Sequence, residues 1–166
     1  LCTLLDDDLA LRLGGGDLVA GDVDLSAASD TLSDTGTLAY YDQNAKRIFV
    51  RGTTMTPDLR VTLAHELTHV LQDQHFDLAA LDDAESDDDR RLAFRALLEG
   101  DATLATLLYA NEHVLAIDML NLMTSVGGVE NEVLETTPMF IQETLAFPYS
   151  AGLEFVGALH DRGGWE

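Results

Sequence analysis

The sequence predicts an α+β domain, mainly helical, with a small β-hairpin ahead of a central helix, and three observations carry that prediction. Two β-rich runs, TLAYYD (37 to 42) and RIFVRG (47 to 52), flank QNAK, where Asn44 brings turn chemistry. Thr56-Pro57-Asp58 is a helix start, with a capping hydroxyl, a proline at the first helical position and an acid that complements the helix dipole. Downstream of about residue 90, apolar residues recur at helical spacing, so the order is helix, hairpin, then several helices.

In chain order, LCTLLDDDLALRL (1 to 13) predicts a short helix stopped by Gly14-Gly15-Gly16, and the Asp-, Ser- and Gly-rich stretch to about Gly36 reads as loop. After the hairpin, the helix from Pro57 is expected to reach about Phe76. Leu59, Leu63, Leu67, Val70 and Leu71 recur at spacings of three and four and predict its buried stripe, with His65 and His69 off that stripe. DDAESDDD (82 to 89) reads as an acidic loop. A long helix follows from about Arg90 through Tyr109 towards Met123, until Gly127-Gly128 breaks it. Thr137-Pro138 is expected to open another helix, and Pro148 a last one that Gly163-Gly164 closes.

At 166 residues the chain fits one domain, residues 1 to 166, with a core that needs no disulfide or metal staple. Hydrophobic residues make up 46% against 23% charged, which separates it from disordered acidic chains. The net charge of -21 comes from 30 acidic and 9 basic residues, and Lys46 is the only lysine. Nucleic acid and anionic membrane surfaces are therefore poor partners, because both are recognised by clustered Lys and Arg. The excess of acid reads as a solvated surface, and adaptation to high salt is a sharper expectation, since screening relieves self-repulsion. Cys2 is the only cysteine, which rules out an intrachain disulfide and a cysteine-based zinc knuckle. No apolar run has membrane-spanning length, and no basic segment precedes a short apolar one. The chain starts at Leu1 rather than Met, so either its start was removed or it is a fragment, and secretion or anchoring through a segment outside it stays open.

Chemistry concentrates in AHELTHVLQDQHFD (64 to 77). His65, Glu66 and His69 form H-E-x-x-H: on a helix the two histidines lie one turn apart on the same face and can point at one zinc ion. Glu66 stands where a carboxylate can take a proton from water without ligating the metal. A catalytic zinc keeps three protein ligands, and two residues compete for the third place. His75 lies six residues after His69, but an unbroken helix turns it about 240° away, and Gln72 favours an unbroken helix. Glu99, in RALLEGDATLATLLYA, would give a His₂Glu set from a second helix. Gly100 beside it predicts a close backbone neighbour, with the His65 helix the expected one.

The succession YYDQNAKRIFVRG, TLAHELTHVLQDQHFDL and RALLEGDATLATL resembles the gluzincins, zinc metallopeptidases with H-E-x-x-H and a glutamate on a later helix. It looks particularly like small gluzincin-like domains in which HELTH-x-LQDQHFDL, EGDA and a late FPY...GGW segment occur together, here FPYSAGLEFVGALHDRGGW, so the resemblance spans roughly residues 38 to 165. It implies a zincin-like fold with His65, His69 and Glu99 as zinc ligands and Glu66 as general base in peptide hydrolysis. It also implies that the second hairpin strand, KRIFVRG, aligns a peptide substrate. The better-known gluzincin arrangement has a supporting acid four residues after the ligand glutamate; that position is Thr103 here, and the nearest acid is Asp101.

The oxyanion of a tetrahedral intermediate needs a donor, and by residue type Tyr149 and His160 are the candidates, Tyr149 first. Three other readings compete. One is a metzincin-like peptidase using His75, for which Met119, Met123 and Met139 would have to supply a methionine turn. Another is a binding or interaction module that keeps zinc without hydrolysis. The third is a deformylase with an upstream cysteine ligand, for which Cys2 lacks any surrounding motif.

Overall fold

The structure is a computed structural model and describes residues 38–78, 80, 81, 88–116, 118 and 139–165. The expected amino-terminal helix, most of the acidic loop, the Gly127-Gly128 break and the Thr137-Pro138 start lie outside the described residues. Among the described residues, five elements follow in order: β1 (Ala39–Asp42), β2 (Arg47–Val50), α1 (Pro57–Phe76), α2 (Asp88–His113) and α3 (Met139–Gly163). The architecture is α+β, mainly helical, with one two-stranded sheet ahead of the helices. All five belong to the compact unit of residues 38–122 and 146–166, apart from Met139–Leu145, which fall in a second unit. No helix among the described residues is long and apolar enough to cross a membrane.

β1 and β2 pair antiparallel, Ala39 opposite Val50 and Asp42 opposite Arg47, and Tyr40 stacks on Phe49 with ring centroids 5.1 Å apart. The turn is built by Asp42, whose Oδ1 accepts from the N–H groups of Asn44 and Ala45, both at 2.9 Å. The left-handed residue is Lys46, at φ 52°, rather than Asn44. The Arg51 N–H donates to Leu38 O at 2.8 Å, which sets the ladder's phase: Tyr40 and Asp42 bond across to β2, and Tyr41 turns its N–H outward.

α1 begins as expected. Thr56 Oγ1 accepts from Leu59 N–H at 3.2 Å and Pro57 takes the first turn. The helix runs unbroken to Phe76 and ends at Asp77 in the left-handed conformation, the Asp77 N–H donating to Asp73 O at 3.0 Å. Its inward face departs from the expectation. Leu67 and Leu71 are 53% and 56% exposed, whereas Gln72 and Asp73 are each only 5% exposed. His65, His69, Gln72 and Asp73 themselves follow helical spacing, so a polar stripe faces α2 and β1, and hydrogen bonds compensate its burial.

α2 and α3 differ from expectation as well. Ala96, Gly100, Ala102 and Ala110 are the buried residues of α2. The close neighbour of Gly100 is Gly152 of α3, not α1: a Cβ on Gly100 would overlap the Gly152 carbonyl group, and one on Gly152 would overlap Ala96 O. Two backbones can approach this closely only where both side chains are missing. Pro148 opens no helix. It lies inside the continuous α3, fully buried, so tertiary packing overrides the helix-breaking tendency of proline. α2 stops at His113, short of the expected extension to Met123.

Candidate metal centre

α1 presents His65 and His69 one turn apart on the face that meets α2, and α2 presents Glu99 to them. The two imidazoles stand edge to face with centroids 4.7 Å apart. His65 Nε2 lies 3.1 Å from His69 Nε2 and 3.1 Å from Glu99 Oε2, and His69 Nε2 lies 3.5 Å from that same oxygen. Among the described residues, the group of His, Cys, Asp and Glu able to share one ion is His65, His69 and Glu99, all half-buried. Ligands about 2.0–2.1 Å from a tetrahedral zinc stand about 3.3–3.4 Å from one another, so the triangle these three atoms form fits that ion. Two nitrogens and a carboxylate oxygen are also a donor set of catalytic zinc.

The other residues singled out in the sequence divide. Glu66 is at the site: its Oε2 accepts the outward N–H of Tyr41 at 2.7 Å. The strand that reaches Glu66 is therefore β1 and not β2. Tyr149 of α3 also joins the site, its ring stacked on His65 at 6.3 Å between centroids. His75 does not. It is exposed, and its Nδ1–H donates to Leu71 O at 2.7 Å. His160 packs against Trp165 instead, and Met139 is exposed. Met119, Met123 and Cys2 lie outside the described residues.

Electrostatics follow from this packing. Burial alone would raise the Glu99 pKa, but hydrogen bonds and charge from His65 and His69 outweigh it and hold the carboxyl down at about 2. Burial alone would lower His69; bonds to Glu99 and Gln72 and the nearby charges turn the balance upward. Burial drives the Tyr149 hydroxyl well above its ordinary range, reinforced by the charges of Glu99 and Glu66. It stays protonated at neutral pH.

Around these groups are residues that sequence reasoning missed. Gln72 Oε1 faces His69 Nδ1 at 2.8 Å, while Gln72 Nε2 donates to Leu98 O at 3.0 Å and Asp101 Oδ2 at 2.8 Å. Thr106 Oγ1 donates to Ala102 O at 2.6 Å and lies 3.5 Å from His65 Nδ1. One turn along α1, Asp73 takes Lys46 Nζ on both oxygens, at 2.9 and 2.7 Å, together with the Tyr41 hydroxyl at 2.5 Å and the Leu78 N–H at 3.1 Å. The signal that could have found Gln72 and Asp73 is their place in the i, i+4, i+7, i+8 series that starts at His65. Compared with protein-family models, curated proteins and solved structures, the chain matches nothing.

Proposed function

We propose that this chain is a zinc-dependent metallopeptidase of the gluzincin type, with His65, His69 and Glu99 holding the metal and Glu66 acting as general base. The observation that carries the reading is the 3.1–3.5 Å triangle of ligating atoms with Glu66 beside it. The sequence resemblance points the same way. When bound, zinc supplies Lewis acidity, which brings the deprotonation of water towards neutral pH and polarises a carbonyl.

The chain's own residues do the rest. Glu66, held on one oxygen by the Tyr41 N–H, takes the proton of the attacking water and passes it to the departing amine nitrogen. The Tyr149 hydroxyl, kept protonated, is a donor for the oxyanion of the tetrahedral intermediate. β1 lies next to Glu66, and on this reading it, rather than β2, would support the peptide's orientation.

Metal analysis of the purified protein beside Glu99→Ala and His75→Ala tests the proposal, coupled to a peptide-cleavage assay. Zinc lost from Glu99→Ala and retained by His75→Ala, with cleavage by the parent, is the expected result. Loss from His75→Ala alone would favour the metzincin arrangement, and stoichiometric zinc without cleavage a binding module.

A further inference from the structure

Resting on the metal-centre reading above, we infer that Gln72 is a positioning residue: wedged between α1 and α2, it fixes the tautomer of His69 so that the Nε2 lone pair faces Glu99 and His65. One terminal atom of the Gln72 side chain lies 3.0 Å from a backbone carbonyl oxygen, that of Leu98, and 2.8 Å from the Asp101 carboxylate. Both partners are acceptors, so the NH₂ group must point at them, and its two hydrogens serve one each. The amide oxygen is then what meets His69 Nδ1 at 2.8 Å. An amide oxygen only accepts, so Nδ1 carries the hydrogen. A neutral imidazole has a single N–H, which leaves Nε2 with its lone pair, the form a metal needs.

Thr106 does the same for His65 more weakly. Its hydroxyl is committed as donor to Ala102 O at 2.6 Å, so what it offers His65 Nδ1, across 3.5 Å, is a lone pair. α2 thus supplies a ligand, Glu99, and orients both histidines: through Leu98 O and Asp101 by way of Gln72, and through Thr106 directly. With both rings neutral and hydrogen on Nδ1, the His65 and His69 Nε2 lone pairs would lie 3.1 and 3.5 Å from the Glu99 carboxylate oxygen, a repulsion that a shared cation would relieve. Asp101 here supports a ligand histidine at second hand, by way of an amide. Gln72 can do this only because α1 remains helical through it, and that same continuity carries His75 away.

Two readouts test the inference: heteronuclear NMR of the imidazole nitrogens in the metal-free protein, at a pH where the rings are neutral, and Co²⁺ titration followed by visible absorption. In the parent protein His69 is expected as the Nδ1–H tautomer. Gln72→Met keeps volume and helix propensity; it should lose the tautomer preference and weaken Co²⁺ binding roughly 10- to 100-fold with helix content unchanged. Thr106→Val should shift His65 alone, with a smaller loss. The inference is overturned by an Nε2–H His69 in the parent protein, which decides the matter even if Gln72→Met does not fold. A folded Gln72→Met with unchanged tautomer or Co²⁺ affinity overturns it equally. A parent protein that binds no Co²⁺ yet shows Nδ1–H at His69 would sink the metal reading and leave the tautomer setting standing.

Discussion

On the proposed reading, Glu66 and Tyr149 have separable jobs beside His65, His69 and Glu99. Glu66→Gln keeps the shape and the bond from Tyr41 N–H but removes the basic oxygen; it should retain stoichiometric zinc and lower kcat by about 10²- to 10⁴-fold. Parallel metal analysis and peptide-cleavage rates measure both. Tyr149→Phe keeps the ring against His65 and removes the hydroxyl. It is expected to lower kcat on the order of 100-fold with little change in KM. A fall in zinc affinity with kcat of the loaded enzyme intact would instead mean that the hydroxyl serves only to support Glu99. His65, Glu66 and His69 were legible because helix geometry alone puts an i, i+4 pair on one face. Glu99 was legible from its ligand chemistry and apolar surroundings. Gln72 was not, because an amide in a helix normally faces water, and only the packing of α2 turns this one into a buried bridge.

The hairpin reaches the site by way of one buried carboxylate. Asp73 joins Lys46 of the turn, Tyr41 of β1 and Leu78 after α1, so it holds β1 where the Tyr41 N–H meets Glu66. Asp73→Ala leaves those donors without an acceptor and should cost about 2–4 kcal/mol, read from urea unfolding, most of it from the buried carboxylate because Lys46 is half in solvent. Burial pushes the Asp73 pKa up, but Lys46, Tyr41 and Leu78 together bring it below its ordinary value. Its stabilisation is therefore fully present above the unfolded carboxylate pKa of about 3.9 and lost as pH falls through the lower folded value. Acid unfolding of the parent should be steeper over that window than that of Asp73→Asn. Gly100→Ala makes the converse test: the propensity gain of about 1 kcal/mol is outweighed by overlap with Gly152, for a net loss of about 1–3 kcal/mol. The hairpin and the start of α1 could be read from local turn and cap chemistry. The face of α1 could not, because apolar spacing marks a stripe without saying which neighbour covers it, and here hydrogen-bonding partners won the inner face. Pro148 misled for a similar reason, its burial outweighing a local preference.

The chain carries a net charge of -21, and among the described residues α2 and α3 meet through glycine and alanine, so strong self-repulsion opposes the packing. Molar salt contracts the screening length to about 3 Å, so the melting temperature should rise between dilute and molar salt; a melting temperature that does not move would remove the salt-adaptation reading. The α+β class was legible from element order, since a hairpin followed by helices leaves few other architectures. The approach of α3 to α2 at Gly152 was not, because a glycine announces a close neighbour without naming it. The central claim is that His65, His69 and Glu99 grip one zinc ion, and X-ray absorption at the zinc edge measures it most directly. Two imidazole nitrogens and a carboxylate oxygen at about 2.0–2.1 Å, with the oxygen signal altered in Glu99→Ala, are the predicted result. A protein that retains no zinc, or a spectrum without imidazole scattering and indifferent to Glu99, would contradict the account.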